Sequence, residues 1–226
     1  MELEEIYATC RGRLLALAPT LNDGQREAPL AATPPWTVVD GYRHLAGVCA
    51  DMLDGVVEGA GSPEWTAAQL AARADRSIEQ VAAEWAARGP EVDARIAEAG
   101  RAMAFFAFDV WTHEQDIRAA VGASSMRDDA TTRALAPVAL TTFSRRYASG
   151  DAPVLCVDVD GAPVVLGDGT PTVTLAATPY ETLRIVFGRR SDAQVSAAAW
   201  SGDPARVAAA QAAFHLFPHP ATDIND

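Results

Sequence analysis

The four histidines, His44, His113, His215 and His219, are the side chains of this sequence best suited to bind a metal or transfer a proton. Asp109 precedes His113 by four residues, one helical turn, so both side chains would leave the same face of a helix. If the helix that carries His44 is its neighbour, His44 completes a set of two histidines and one carboxylate. Such a set binds a divalent metal and leaves coordination positions for water or substrate, as in catalytic sites.

Spacing alone also allows a structural interpretation of these residues. An aspartate four residues before a histidine is common on helices, and His113 would then be a partly buried residue with a carboxylate partner. His44 would be a core histidine whose hydrogen bonds are satisfied. Two prolines beside His215 and His219 exclude a regular helix there, so the sequence favours an extended C-terminal segment for that pair.

Composition restricts the partners and the compartment. A formal net charge of −12 disfavours binding to nucleic acid or to an anionic membrane. Cys10, Cys49 and Cys156 show no CxxC spacing, which indicates reduced thiols. Because we find neither a signal peptide nor an apolar run of membrane-spanning length, we expect a soluble cytoplasmic protein. A homodimer is compatible with the sequence.

Hydrophobic periodicity predicts helices in the first 150 residues. Thr37 and Asp40 cap the second helix, which carries His44 and ends near Gly59, and Ser77 and Gln80 form a capping box for the third. The five predicted helices begin near residues 3, 37, 77, 102 and 129, and the fourth, which carries Asp109 and His113, ends at Gly122. Residues 22–35 are predicted to form a loop.

The pattern changes after residue 150. Apolar residues alternate over 154–159, Asp160-Gly161 is a turn signal, and residues 164–166 would form the partner strand. This pattern predicts a β-hairpin. Further strands are predicted at 173–175 and 194–197, and helices at 179–187 and from Asp203 to 214. The sequence therefore predicts a mainly α protein, with a helical domain over 1–150 and a small α+β domain over 151–226.

Three segments, in order along the chain, resemble the mycothiol-dependent maleylpyruvate isomerase family of the DinB-like superfamily. The first, PPWTVVDGYRHLAGVCADML at 34–53, is similar to the helix that bears the first metal ligand. The second, FDVWTHEQDIRAAVG at 108–122, is similar to the segment in which an acidic residue precedes a histidine by four positions. The third, ETLRIVFGRRSDAQVSAAAWSGDP at 181–204, resembles the small C-terminal domain.

This resemblance implies a DinB-like four-helix bundle that binds one divalent metal, usually zinc, through His44, Asp109 and His113. The characterised isomerases have glutamate at the position of Asp109, so this chain presents the same carboxylate on a side chain one methylene shorter. The family also uses an arginine of the C-terminal domain. Arg206, in the corresponding last helix, is the candidate catalytic residue, and Arg189 and Arg190 are surface residues that could contact an anion. Asp116 and Arg118 either orient a ligand or form a surface ion pair.

The cosubstrate that the resemblance implies is mycothiol, the low-molecular-weight thiol of actinobacteria. Zinc lowers the pKa of a thiol and so makes it a nucleophile at neutral pH. In the isomerase the thiolate adds to an activated double bond, the bond rotates, and the thiol leaves. We therefore expect an isomerase of a maleylpyruvate-like substrate, or a thiol S-transferase that acts on an electrophilic substrate.

Two other functions remain open at this point. A non-catalytic DinB-like metal-binding or regulatory protein would keep the fold without turnover, and the replacement of glutamate by Asp109 motivates that alternative. A tailoring protein of natural-product biosynthesis that uses mycothiol is a third possibility.

Overall fold

The computed structural model describes residues 1–123 and 126–226. Within them the chain forms two compact units, 1–123 and 126–225, which are described separately below. The protein is mainly α, as predicted, with a small mixed sheet in the second unit. None of the described helices is both long and apolar enough to cross a membrane.

The first unit is built from helices. They are α1 (Leu3–Leu17), α2 (Asp23–Arg26), α3 (Val38–Asp54), α4 (Pro63–Ala71), α5 (Ile78–Ala99) and α6 (Ala104–Ala120), with 3₁₀ turns at Ala18–Thr20 and Gly100–Met103. Helices α1 and α3 each pack against both α5 and α6. The core therefore lies among these four long helices, and α4 packs on the outside of α3.

The caps predicted for two helices of the first unit are present. Thr37 and Asp40 form the capping box of α3, with the Thr37 amide donating to Asp40 Oδ2 at 3.1 Å. Ser77 and Gln80 form the same motif at α5. Helix α3 ends earlier than predicted, because Gly55 adopts the left-handed conformation that terminates a helix (φ 75°).

Two helices of the first unit lie where the sequence analysis predicted none. Helix α2 occupies part of the predicted loop, and α4 follows the turn after α3. Ser62 caps α4 by accepting from the Trp65 amide at 3.1 Å, and Pro63 occupies its first turn. A serine cap followed by proline is a start signal for a helix, so α4 could have been found from the sequence.

The second unit combines α7 (Ala130–Ala148) with the C-terminal elements. These are β1 (Leu155–Val159), β2 (Ala162–Leu166), β3 (Val173–Ala177), α8 (Pro179–Val186), α9 (Asp192–Ala197), β4 (Ala199–Gly202) and α10 (Pro204–Ala213). The sheet order is β2-β1-β3-β4, with β1 and β3 parallel and the other pairs antiparallel. Asp160 and Gly161, both with positive φ, form the predicted hairpin turn.

The strand predicted at 194–197 is wrong: Ser191 and Gln194 form a capping box, so these residues belong to α9, and the strand comes after it as β4. Helix α7 packs against α8 and β2 in the second unit, whereas the predicted domain boundary follows this helix. The division into domains at residue 150 stays a prediction.

Candidate metal centre

His44, Asp109 and His113 converge in the first unit. Asp109 and His113 lie one turn apart on α6, and His44 reaches them from α3, which packs against α6. The Nε2 atoms of His44 and His113 each lie 3.5 Å from Asp109 Oδ1. One ligand atom from each residue lies within 4.8 Å of the other two. The structure therefore brings all three predicted ligands to one point.

These separations suit a divalent ion of the size of zinc. Bonds of about 2.0–2.2 Å in tetrahedral geometry place neighbouring ligand atoms about 3.3–3.6 Å apart. The measured 3.5 Å between each imidazole nitrogen and the carboxylate oxygen falls in that range. Both imidazoles are buried, and the Asp109 side chain is 11% exposed. The donor set and its spacing therefore fit a metal, while the assignment of these residues as ligands stays a prediction.

His44 is oriented by two residues that the sequence analysis did not select. Its Nδ1 lies 2.9 Å from Oε1 of Gln69 on α4. The amide nitrogen of Gln69 donates in turn to Asp51 Oδ2 at 2.8 Å. Metal-binding histidines commonly bond through their second nitrogen to such a partner, which holds the ring in place.

Trp36 packs against both imidazoles. Its ring centroid lies 5.1 Å from that of His44 and 5.9 Å from that of His113, and it stacks on the latter at an interplanar angle of 25°. Trp36 precedes the cap of α3, and its backbone amide and carbonyl bond to Thr33 and Leu30. The indole therefore forms an aromatic wall of the site. Trp85 and Trp111, by contrast, are fully buried in the helical core.

No family profile and no curated protein matches the chain. Two crystal structures of mycothiol-dependent maleylpyruvate isomerase, one of them of a histidine-to-alanine mutant, are similar to it. The mutant has a TM-score of 0.51 and 13% identity, covering 84% of this chain and 88% of its own. The other structure has a TM-score of 0.50 and 12% identity, and the match covers 83% of this chain and 87% of the isomerase chain.

The chain shares its fold with that isomerase. At this identity the likeness concerns the fold and carries over no reaction or substrate. The shared fold agrees with the resemblance of the three sequence segments, which rests on amino-acid motifs and not on the structure. The relationship that the two together support is a distant one.

Asp116 and Arg118 were predicted either to orient a ligand or to form a surface ion pair, and Asp116 does not lie at the surface. Asp116 is buried, with Oδ2 3.6 Å from His113 Nδ1, so it lies beside the metal-binding face. Arg118 donates through Nε to Glu114 Oε1 at 2.9 Å, and the Glu114 side chain is fully buried. Asp116 is therefore the member of this pair that is placed to influence His113.

The cysteines of the first unit are not nucleophiles at neutral pH. Burial raises the pKa of Cys10 well above its ordinary value, and the nearby Glu114 carboxylate raises it further. Burial also raises the pKa of Cys49 to about 11. Both side chains are therefore protonated thiols that pack in the core.

The predicted arginines occupy different environments in the second unit. Arg206 is exposed in the first turn of α10, where its backbone amide bonds to Asp203. Arg189 and Arg190 were expected at the surface, which is wrong: both are buried. Arg190 forms a two-point ion pair with Glu181 at 2.8 Å, and Arg189 bonds to the Phe187 carbonyl. The catalytic role of Arg206 and the anion contacts of the other two stay predictions.

His215 and His219 follow α10 in an irregular segment, as the prolines predicted. Their rings are 4.6 Å apart between centroids, and His219 Nδ1 bonds to Asp192 Oδ1 at 2.6 Å. Both nitrogens of His215 contact main-chain carbonyls. Among the described residues, only the His44, Asp109 and His113 group has the donors and spacing of a three-ligand site.

Proposed function

We propose that this protein is a divalent-metal-dependent enzyme that uses mycothiol as its thiol cosubstrate, as an isomerase of a maleylpyruvate-like substrate or as an S-transferase. The observation that carries the proposal is the convergence of His44, Asp109 and His113, from two helices, in a fold shared with mycothiol-dependent maleylpyruvate isomerase. In this proposal the four long helices of the first unit are a DinB-like bundle.

The ligands in this proposal are Nε2 of His44, Nε2 of His113 and a carboxylate oxygen of Asp109. A bound zinc ion would lower the pKa of a coordinated thiol and so supply a thiolate at neutral pH. Three protein ligands, rather than four, are the arrangement of catalytic zinc sites, which keep one position for water or substrate. The proposal therefore assigns a catalytic and not a structural role to the centre.

The state of the two thiols of the first unit supports an external nucleophile. Cys10 and Cys49 are buried and protonated, and neither belongs to the metal-binding group. A thiolate reaction at this centre would therefore use a thiol from solution. The Trp36 ring restricts access of water to the face of the imidazoles that it covers.

Arg206 is the proposed catalytic residue of the second unit. Its guanidinium is exposed and permanently charged, so it can bind the carboxylate of an anionic substrate. In a chain of net charge −12, an anionic substrate needs local positive charge, which an exposed arginine can supply.

The test is consumption of mycothiol by the zinc-loaded protein, measured with maleylpyruvate and with a panel of electrophiles. Wild-type protein is expected to isomerise maleylpyruvate or to form a thioether with one of the electrophiles, and His113→Ala is expected to do neither. A protein that binds zinc tightly but turns over none of these substrates would contradict the proposal. That outcome would favour the non-catalytic DinB-like metal-binding or regulatory protein.

A further inference from the structure

Gln69 is the one residue of α4 that is buried, at 2% exposure. A helix that packs on its neighbour for stability alone would bury an apolar side chain there, because burying an amide costs free energy unless its hydrogen bonds are made. Both ends of the Gln69 amide are bonded, to His44 on one side and to Asp51 on the other. These two hydrogen bonds therefore explain why a glutamine is buried at this position.

Helix α3 presents a matching face to α4. His44, Gly47 and Asp51 are spaced by three and four residues, so they form one stripe along α3. A Cβ atom at Gly47 would lie 2.6 Å from Cβ and 2.8 Å from Cγ of Gln69. Only glycine leaves room for the Gln69 side chain to cross α3 at this point and reach both neighbours.

Two other contacts hold α4 in place. Trp65 donates from Nε1 to the Val56 carbonyl at 3.0 Å. Beyond the end of the helix, the Arg43 guanidinium donates to the carbonyls of Arg73 at 3.1 Å and Ala74 at 2.7 Å. The position of Gln69 is therefore determined by contacts at both ends of α4 and does not depend on its bond to His44.

The orientation of the Gln69 amide follows from Asp51. A carboxylate offers only acceptors, so the amide nitrogen must face Asp51 and the amide oxygen must face His44. The opposite orientation would place two oxygen atoms 2.8 Å apart. Since the amide oxygen accepts, Nδ1 of His44 must carry the proton in the neutral ring. Its Nε2 is then the unprotonated nitrogen, which faces Asp109.

We infer that Asp51 and Gln69 are positioning residues that fix His44 in the Nδ1–H tautomer, with Nε2 kept as the metal ligand. This inference deepens the proposed function and depends on it for its purpose. Partners of this kind commonly change metal affinity by about 10–100-fold when they are removed. Helix α4 thus contributes to the centre although none of its residues is a ligand.

The experiment uses Gln69→Met, which nearly conserves volume but removes both hydrogen bonds, and Asp51→Asn, which frees the orientation of the amide. Asp54→Asn is the matched control, because it makes the same charge change one turn later on α3, where Asp54 pairs with Arg88 at the surface. Zn²⁺ affinity is measured by competition with a chromophoric chelator. The tautomer of His44 in metal-free protein is read from long-range ¹H–¹⁵N correlation spectra, which four histidines keep simple.

Wild type is expected to show the Nδ1–H tautomer. Gln69→Met is expected to populate the Nε2–H form and to bind Zn²⁺ about 10–100-fold more weakly. Asp51→Asn should show a smaller loss in affinity, and Asp54→Asn none. An Nε2–H tautomer in wild type, or wild-type Zn²⁺ affinity in a folded Gln69→Met protein, would overturn the inference. If wild type binds no zinc, the proposed function fails, while the spectra still decide whether Gln69 fixes the tautomer.

Discussion

The indole of Trp36 stacks on the imidazole of His113, with centroids 5.9 Å apart and ring planes inclined by 25°. The same indole lies 5.1 Å from the ring of His44. One aromatic side chain thus contacts both nitrogen ligands of the proposed centre. A change in the charge or position of either imidazole must alter the environment of this indole.

Trp36 is therefore expected to report metal binding. Titration of metal-free protein with Zn²⁺ should change the tryptophan emission of wild type, and most of that change should disappear in Trp36→Phe. Trp200→Phe, on β4 of the second unit, is the control and should keep the wild-type response. An undiminished emission change in Trp36→Phe would show that zinc binds elsewhere.

The carboxylate at position 109 is expected to tolerate lengthening but not loss of charge. Asp109→Glu keeps the carboxylate on a side chain one methylene longer, which is the residue that the sequence resemblance implies here, and should bind Zn²⁺ as tightly as wild type or more tightly. Asp109→Asn keeps the size of the side chain but removes the anionic donor, and should weaken binding by about tenfold or more, which is about 1.4 kcal/mol. Chelator competition measures both variants. Equal affinities of Asp109→Asn and wild type would exclude Asp109 as a ligand.

Replacement of Gly47 by alanine, with Gly12→Ala as the control, tests how closely α3 and α4 approach each other. Gly47→Ala places a methyl group 2.6 Å from Gln69 Cβ, so α4 must move. The overpacking cost of about 1–3 kcal/mol exceeds the gain in helix propensity of about 1 kcal/mol, and the free energy of unfolding should fall. The methyl group that Gly12→Ala adds on α1 meets no atom within 4 Å, and the free energy of unfolding should rise by about 0.5–1 kcal/mol. Urea denaturation gives both values.

The Gly47 variant is also informative about the metal. Because α4 carries Gln69, its displacement should lower Zn²⁺ affinity in Gly47→Ala but not in Gly12→Ala. A destabilised Gly47→Ala protein with wild-type affinity would mean that α4 contributes to stability alone.

The buried thiol of Cys49 is expected to make the folded protein less stable at alkaline pH. Its pKa rises from the ordinary 9.0 to about 11 through burial, so the folded state retains a proton that the unfolded chain loses first. The contribution is fully present below about pH 9 and is lost as the pH rises toward about 11, an effect of about 2–3 kcal/mol. The sequence contains no lysine, so no lysine titration overlaps this window.

The corresponding measurement is the free energy of unfolding as a function of pH. The free energy of unfolding of Cys49→Ala should depend less steeply on pH between about 9 and 11 than that of wild type. Val48→Ala, a truncation of a neighbouring buried residue without a titratable group, should lose stability equally across the range and keep the wild-type slope. A Cys49→Ala protein with the wild-type slope would contradict the assignment.

The long helices and the shared face of Asp109 and His113 follow from local sequence signals. Apolar residues at three- and four-residue steps predicted α1, α3 and α5, and the one-turn spacing of Asp109 and His113 predicted their shared face. Capping residues fixed the starts of α3 and α5 because each cap is a contact within four residues. The neighbouring positions of α3 and α6 came from the resemblance, since amphipathicity does not determine which helices pack together.

The parts that were missed either show no hydrophobic period or depend on contacts between distant residues. Helix α4 buries a single glutamine and has no apolar stripe, so periodicity does not reveal it. The role of Gln69 depends on Gly47 and Asp51 of another helix, and nothing local to α4 signals it. Helix α9 was predicted as a strand because its six residues are too short for a helical period to appear.

The most direct test of the proposed centre is the metal content of the purified protein, measured by elemental mass spectrometry beside His44→Ala and Asp109→Ala. Wild type should carry about one divalent ion per chain, both variants should lose it, and added Zn²⁺ should raise the melting temperature of wild type alone. Folded variants that retain the wild-type metal content, or a wild type that neither carries an ion nor gains stability from Zn²⁺, would contradict the proposed function.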